Sequence, residues 1–377
     1  MALGDVTELE IGKQTDPLTG RPVERLSDGQ GNTYHPYFTQ NLFSPDGSEV
    51  LVASDRSGSW QLFNLLINEG TMVQVTDEAS LGAHGAVRHP REPLAYYFAG
   101  DLLKEVSLED FSVRVLYALP DGFRPAILSL SGDGEHMAFA YSEQLQFSTG
   151  SGRIYSRMKE HLFRRPTSVI MYVETSTGAA SAIWGEREWI SHVNVSPTEP
   201  EIVLFCHEGP WNLVQRMWVV DAQTSEVWPL LEQERHYERA GHEFFLSDGR
   251  VGTQYSRREN IDGEWQDYVT TLWPDGTERQ DYAWPGPQAM HVQAGPDGDL
   301  WAGDRAWLPD VPEPEATLCI FRCEDGRIEG EPLCVHNTSW LTQRSHPHPF
   351  FSPDGRYVFF TSDQGGTCNL YRVPAIW

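Results

Sequence analysis

The segment Gln343-Arg-Ser-His-Pro-His-Pro349 places two imidazoles two residues apart between prolines. On an extended segment residues i and i+2 point to the same side, so His346 and His348 would present their rings together. A residue before proline is pushed towards β or polyproline geometry, which predicts a stiff pair. Imidazole nitrogens bind divalent transition ions well. A proline-rich turn with no ligand is the other reading of the same residues. A second stretch, Phe205-Cys-His-Glu-Gly-Pro-Trp-Asn-Leu-Val-Gln-Arg-Met-Trp218, sets the acid and base types His207, Glu208 and Arg216 beside a Gly-Pro turn. Arg216 there could serve a substrate or simply close a structural salt bridge. Other templates fail: the chain has no G-x-S-x-G elbow, no P-loop, and no G-x-G-x-x-G ahead of a helix. Cys319 and Cys323, four apart in an expected strand, read as buried thiols rather than ligands.

What must position these residues is a repeat. Phe43-Ser-Pro-Asp-Gly47 leads into Glu49-Val-Leu-Val-Ala-Ser54, then Asp55, Gly58 and Leu62-Phe63. Phe351-Ser-Pro-Asp-Gly355 leads into Tyr357-Val-Phe-Phe-Thr-Ser362, then Asp363, Gly366 and Leu370-Tyr371, with every offset kept. Weaker copies start at His89-Pro90, Ser131-Gly-Asp-Gly134, Ser196-Pro197, Ser247-Asp-Gly249 and Gly295-Pro-Asp-Gly298. Pro and Asp inside such a turn with Gly closing it suit a tight strand connection, and alternation after the turn predicts half-buried strands. Antiparallel units recurring at this length predict an all-β fold, a seven-bladed β-propeller formed as one domain over residues 1–377. Pro22-Val-Glu-Arg-Leu26 belongs to no unit and is expected to add a strand to the last blade. Ser156–Phe163 has helical spacing, and Leu308–Glu315 reads as an irregular loop.

The repeat aligns five of the 13 histidines. His84, His192, His242, His291 and His348 each fall four or five residues before a turn, with Gln40 in the first unit. In a propeller that segment lines the central channel, so the register predicts a convergent ring; polar residues that merely bind channel water would give the same pattern. His291 and Gln343 join His346 and His348 as a candidate set of three nitrogens and one amide oxygen. Open positions on such a set suit Mn²⁺, or another divalent transition ion, over a closed structural zinc.

Composition sets the outer limits. The chain has 377 residues, 54 of them acidic against 28 basic, for a net charge of −26. That sign repels phosphate backbones and anionic lipid, so nucleic-acid and membrane-surface partners are not expected. Its 33 Gly and 25 Pro favour turns over long helices. No apolar run approaches the roughly 18 residues of a membrane span, and no N-terminal basic-then-apolar segment marks a leader. Five cysteines without a CxxC pair read as reduced thiols of a cytoplasmic protein. Oligomeric state is left open.

Cys206-His-Glu-Gly-Pro-Trp211 through Arg216-Met-Trp218, Gly241-His-Glu-Phe-Phe245, His336-Asn-Thr-Ser-Trp340, and Gln343 to Pro349 with Phe359-Phe-Thr-Ser-Asp363 together resemble the oligogalacturonate lyases, polysaccharide lyase family 22. The resemblance runs over most of the chain and is most specific in its C-terminal half. It implies a cytoplasmic seven-bladed propeller that β-eliminates short oligogalacturonates, releasing unsaturated or 4-deoxy-5-keto uronates. It implies His242 as the Brønsted base, Mn²⁺ held by His291, Gln343, His346 and His348, and Arg216, with His207 nearby, on the substrate carboxylate. The sequence departs from the family pattern at Phe245, in a shorter stretch between Trp340 and Gln343, and at Arg305-Ala306, where glycines are usual. These departures bear on substrate shape, so a glucuronate-containing uronide is an alternative substrate. A non-enzymatic propeller of the TolB type, with the same S-P-D-G repeats, is the alternative class.

Overall fold

A computed structural model describes residues 2–146 and 158–377 of the chain. The first two residues of the expected helix Ser156–Phe163 lie outside the described residues; the rest form the helix Met158–Arg164. Everything else is strand, turn and short 3₁₀ segments, the all-β class that the repeats predict.

The described strands form seven four-stranded antiparallel meanders in chain order. The first runs Thr33–Tyr34, Glu49–Ser54, Gln61–Leu66 and Thr71–Gln74; the second begins at Val87–Arg88, the third at Phe123–Leu130, the fourth at Ile190–Val195 and the fifth at Glu238–Phe245. The sixth begins at Val292–Ala294, and the seventh uses Phe350–Phe351, Tyr357–Ser362 and Asn369–Pro374. Its fourth strand is Pro22–Arg25, which pairs Glu24 with Arg372 and Arg25 with Tyr371. Two further edge strands were not anticipated: Gly12–Thr15 pairs outside Pro22–Arg25, and Val6–Glu8 pairs outside Thr71–Gln74.

The turns explain why the motif recurs. Ser44 Oγ donates to Asp46 Oδ1 at 2.7 Å, Gly47 N donates to Ser44 O at 2.9 Å, and Glu49 N donates back to Ser44 Oγ at 3.0 Å. Ser352, Asp354, Gly355 and Tyr357 repeat each of these bonds at 2.6, 2.9 and 3.0 Å. Gly47 and Gly355 sit at φ of 70° and 69°, where a side chain would be strained.

Two compact units emerge from the packing: Met1–Gly100, Lys104–Arg114 and Pro285–Trp377 form one, and Asp101–Leu103 with Val115–Trp284 the other. Within the first, the sixth and seventh meanders close over Leu318, Ile320, Leu333, Val358, Phe360 and Val373, and the first and second over Leu51, Leu62, Ala95 and Tyr97. Within the second, Ile170, Ile190, Val203 and Phe205 join the third and fourth meanders, while Leu204, Val219, Val251 and Tyr255 join the fourth and fifth. Each fully buried side chain of this kind contributes about 1.5–3 kcal/mol. Stacked sheets also correct the half-buried expectation. Glu49–Ser54 and Tyr357–Ser362 are buried at every position after the first, because both of their faces are covered.

Candidate active site

In the first unit, three histidines come together from two meanders. His291 precedes the strand Val292–Ala294, and His346 and His348 precede Phe350–Phe351. One ligating atom from each lies within 4.8 Å of the other two, and all three residues are buried. The rings of His291 and His348 are 4.2 Å apart, with His346 at 5.4 and 5.5 Å from them. Gln343 opens a 3₁₀ turn whose ends Thr342 and Ser345 cap each other, and its side-chain amide reaches 3.5 Å from His348 Nε2.

The geometry that achieves this differs from the expected extended pair. His346 is in the polyproline region at φ −69° and ψ 136°, as a following proline favours. His348 also precedes proline, yet its φ is 44°, in the left-handed region. Such a backbone costs about 1–3 kcal/mol for a non-glycine residue and persists only where its surroundings hold it. Phe38 stacks on the His348 ring at 5.0 Å and 7°, and Tyr37 meets its edge at 5.6 Å. The turn aims a ring that an extended chain would send elsewhere.

Asp304 fixes His291. Its Oδ1 accepts from the backbone N–H of Met290 and His291 at 2.8 and 2.9 Å, and its Oδ2 meets His291 Nδ1 at 2.5 Å. A carboxylate on Nδ1 sets the tautomer and raises the basicity of Nε2, the usual outer support of a metal-binding histidine. Burial, reinforced by His291, His35, His346 and His84, pushes the His348 pKa well below its usual value, and burial lowers that of His346. Neutral imidazoles are what a cation requires. His346 Nδ1 is buried with no hydrogen-bond partner among the described residues. The donor set fits a divalent transition ion.

In the second unit, His242 occupies a bulge. The strand Glu238–Phe245 shifts register against Val251–Arg257 between Gly241 and Phe244, and His242 has φ 50°. The strand carrying His192 shifts between Ile190 and Val193, so the histidine register falls on a bulge in both meanders. Bulges re-aim side chains in this way. His242 Nδ1 is 2.8 Å from Gln254 Oε1. As that oxygen only accepts, the neutral ring carries its proton on Nδ1 and its basic lone pair on Nε2. Burial first, and then the charge of Arg216, lower its pKa to about 4. Trp211 packs edge-on to the ring at 4.9 Å, in a space that a side chain at Gly241 would fill.

Arg216 is fully buried and closed by two carboxylates. Its Nε donates to Glu243 Oε2 at 2.8 Å and one Nη to Glu208 Oε1 at 3.1 Å. Burial opposes the guanidinium charge, but Glu208 and Glu243 more than offset this and raise its pKa well above the usual value. Both carboxyls are raised by burial and brought below their usual range by Arg216. His192, Cys206 and Glu243 also converge within 4.8 Å, but Arg216 bonds to that carboxylate, and burial pushes the Cys206 thiol up to about 12. This cluster is an ion-pair network around an arginine.

The expected residues therefore separate. His291, Gln343, His346 and His348 assemble, and His84 approaches His348 at 6.2 Å between ring centroids. Arg216 takes the salt-bridge reading, and so is not presented as an open fork for a substrate carboxylate. Strand alternation places His207, expected on the substrate, away from the Arg216 cluster. Cys206 and Glu208 face the Arg216 cluster, while His207 points the other way, 2.7 Å from Glu186 and against Trp218. Asp304, Glu243 and Gln254 were not singled out. Glu243 lay in a quoted motif, but no spacing rule in the sequence connects Asp304 or Gln254 to a histidine 12 or 13 residues away. All five cysteines are free, Cys323 half-buried and the others buried.

The oligogalacturonate lyase family profile matches residues 1–375. An oligogalacturonide lyase of Pectobacterium atrosepticum is 28% identical over the full length of both chains, and an oligogalacturonate lyase of Dickeya dadantii 27%. The solved structure of an oligogalacturonate lyase in complex with manganese superposes with a TM-score of 0.88 at 25% identity, covering 99% of this chain and 98% of the other. An oligogalacturonate lyase of Vibrio parahaemolyticus gives a TM-score of 0.87 with the same coverage. The chain belongs to the oligogalacturonate lyase family.

Proposed function

We propose that this lyase cleaves short oligogalacturonates by β-elimination and depends on a divalent metal, manganese being the ion held by the related structure. The observation that carries the reading is the buried trio His291, His346 and His348, which a non-enzymatic binding propeller has no need of. These histidines, with Gln343, would hold the ion. A cation bound there supplies positive charge against the negative charge that builds on the uronate carboxylate.

His242 is the proposed base. Its Nδ1–H is held by Gln254, so Nε2 takes the C5 proton α to the carboxylate. The C5–H electron pair forms the C4–C5 double bond, the C4–O4 bond breaks, and the leaving oxygen acquires a proton. The new non-reducing end is an unsaturated uronate, which as a monomer rearranges to the 4-deoxy-5-keto form. Arg216, charged and fixed, supports the base indirectly by keeping His242 neutral.

The proposal extends to organisation and place: residues 1–377 act as one seven-bladed propeller domain, with Pro22–Arg25 completing the last blade, in the cytoplasm. Five free thiols suit a reducing compartment. No described helix is long and apolar enough to cross a membrane. Incubation with saturated galacturonate and glucuronate-containing dimers and trimers, with and without chelator, tests the function. Chromatography should show unsaturated product from galacturonate oligomers only while metal is present. Product from the glucuronate-containing oligomers alone would reassign the substrate, and no product from any oligomer would sink the lyase reading.

A further inference from the structure

Arg305 follows Asp304, the residue that fixes His291, and its guanidinium lies over the Trp340 indole at 4.7 Å from the ring centroid. The same indole lies 5.1 Å from the His346 ring, so one aromatic plate carries the arginine beside a proposed metal ligand. The plate is itself fixed. Trp340 has φ 58°, and the preceding Ser339 N–H and Thr338 hydroxyl both donate to Asp363 Oδ1, at 2.7 and 2.9 Å. Arg305 Nε is buried without a hydrogen-bond acceptor, and among the described residues its guanidinium enters no ion pair. In a chain with 54 carboxylates to 28 basic residues, that is not for want of acids. Arg88, Arg216 and Arg372 each have a carboxylate partner.

A buried N–H without an acceptor costs about 1–3 kcal/mol unless a ligand supplies one. Guanidinium presents a planar fork that matches a carboxylate, and stacking on an indole preorganises it. The substrate class reached under the proposed function carries one carboxylate per sugar. Resting on that reading, we propose that Arg305, held on Trp340 beside the metal histidines, binds a substrate uronate carboxylate and selects free acids over esterified sugars. Arg216 already has two carboxylate partners, Glu208 and Glu243; Arg305 has none among the described residues.

The test measures calorimetric affinity for digalacturonate and for its dimethyl ester in a His242→Ala background, whose slowed turnover leaves the substrate intact during the titration, with metal content determined in parallel. Arg305→Ala should weaken binding of the acid by about tenfold to a hundredfold, leave the ester unchanged, and leave metal content unchanged. Arg305→Lys, which keeps the charge and loses the fork, should give a smaller loss confined to the acid, and serves if the alanine variant folds poorly. Equal losses for acid and ester, or no loss for either, would overturn the assignment of Arg305 alone. If protein with Arg305 intact binds neither digalacturonate nor its ester, the proposed function falls and this inference with it.

Discussion

Two buried clusters in this lyase handle charge in opposite ways. Around His291, His346 and His348 the groups are bases, burial lowering the pKa of His346 and His348, with the carboxylate Asp304 behind them. Around Arg216 a cation is already present and is met by two carboxylates, Glu208 and Glu243. The first cluster is deficient in positive charge and fits an incoming ion; the second is complete without one. The difference teaches that a buried arginine among functional residues is not thereby a substrate contact. What decides is whether its donors are already taken.

The sharpest way to break this contrast is to remove one group from each side. His242→Ala should lower kcat/KM by about 10²–10⁴-fold while bound metal stays stoichiometric, whereas His348→Ala should lose metal and turnover together. Metal analysis beside steady-state kinetics separates the two; an active, metal-free His348→Ala enzyme would contradict the scheme. Next in size, Arg216→Ala leaves two carboxylates buried without their cation and should cost roughly 3–5 kcal/mol in urea unfolding. A loss of turnover with unchanged stability would mean that Arg216 touches substrate after all. Asp304→Asn should then weaken metal affinity by about 10–100-fold, read by titration, with little effect on folding.

The smallest effect is a pH dependence. His242 is held at about 4, so it stays neutral, and competent as a base, until the pH approaches that value. The acid limb of kcat/KM should lie near pH 4 and not near the usual histidine value. Stability should follow a related course. His35, His242 and His336 are all depressed to about 4, mainly by burial. An unfolded chain takes up protons at these rings below about pH 6.5 that the folded chain refuses, so stability is retained above that value and declines towards pH 4. Urea midpoints that stay flat over this window would show that these rings are not buried neutral.

How much of this was legible depended on how local the determinant was. Ser-Pro-Asp-Gly turns carry their own hydrogen bonds within five residues, so the repeat and the all-β class could be read directly. The convergence of His291, His346 and His348 was legible because His291 and His348 share the repeat's register and His346 stands two residues from His348. Positive φ at His348 was hidden, since a following proline argues for an extended residue; packing by Phe38 and Tyr37 overrides that local preference. The side on which His207 lies was not legible, because a motif names neighbours while strand alternation sends them to opposite faces. Asp304 meets His291 from the neighbouring strand of one meander, and Arg305 meets Trp340 from a loop 35 residues on, contacts for which the sequence has no periodic signal. Val6–Glu8 and Gly12–Thr15 escaped for a simpler reason: as edge strands outside the repeat they bear none of its turns.

The pairing of Pro22–Arg25 with Asn369–Pro374 also has a meaning in time. Arg372 binds Glu24 across 348 residues of chain. In folding, Pro22–Arg25 keeps one edge unpaired until Asn369–Pro374 is in place. His346 and His348 stand just before Phe350–Phe351 of that same sheet, so the proposed metal ligands are set in place only as the sheet beside them is completed. Closing so long a loop is entropically slow, which places metal loading late in folding. The proposed centre is therefore among the last features of the fold to form.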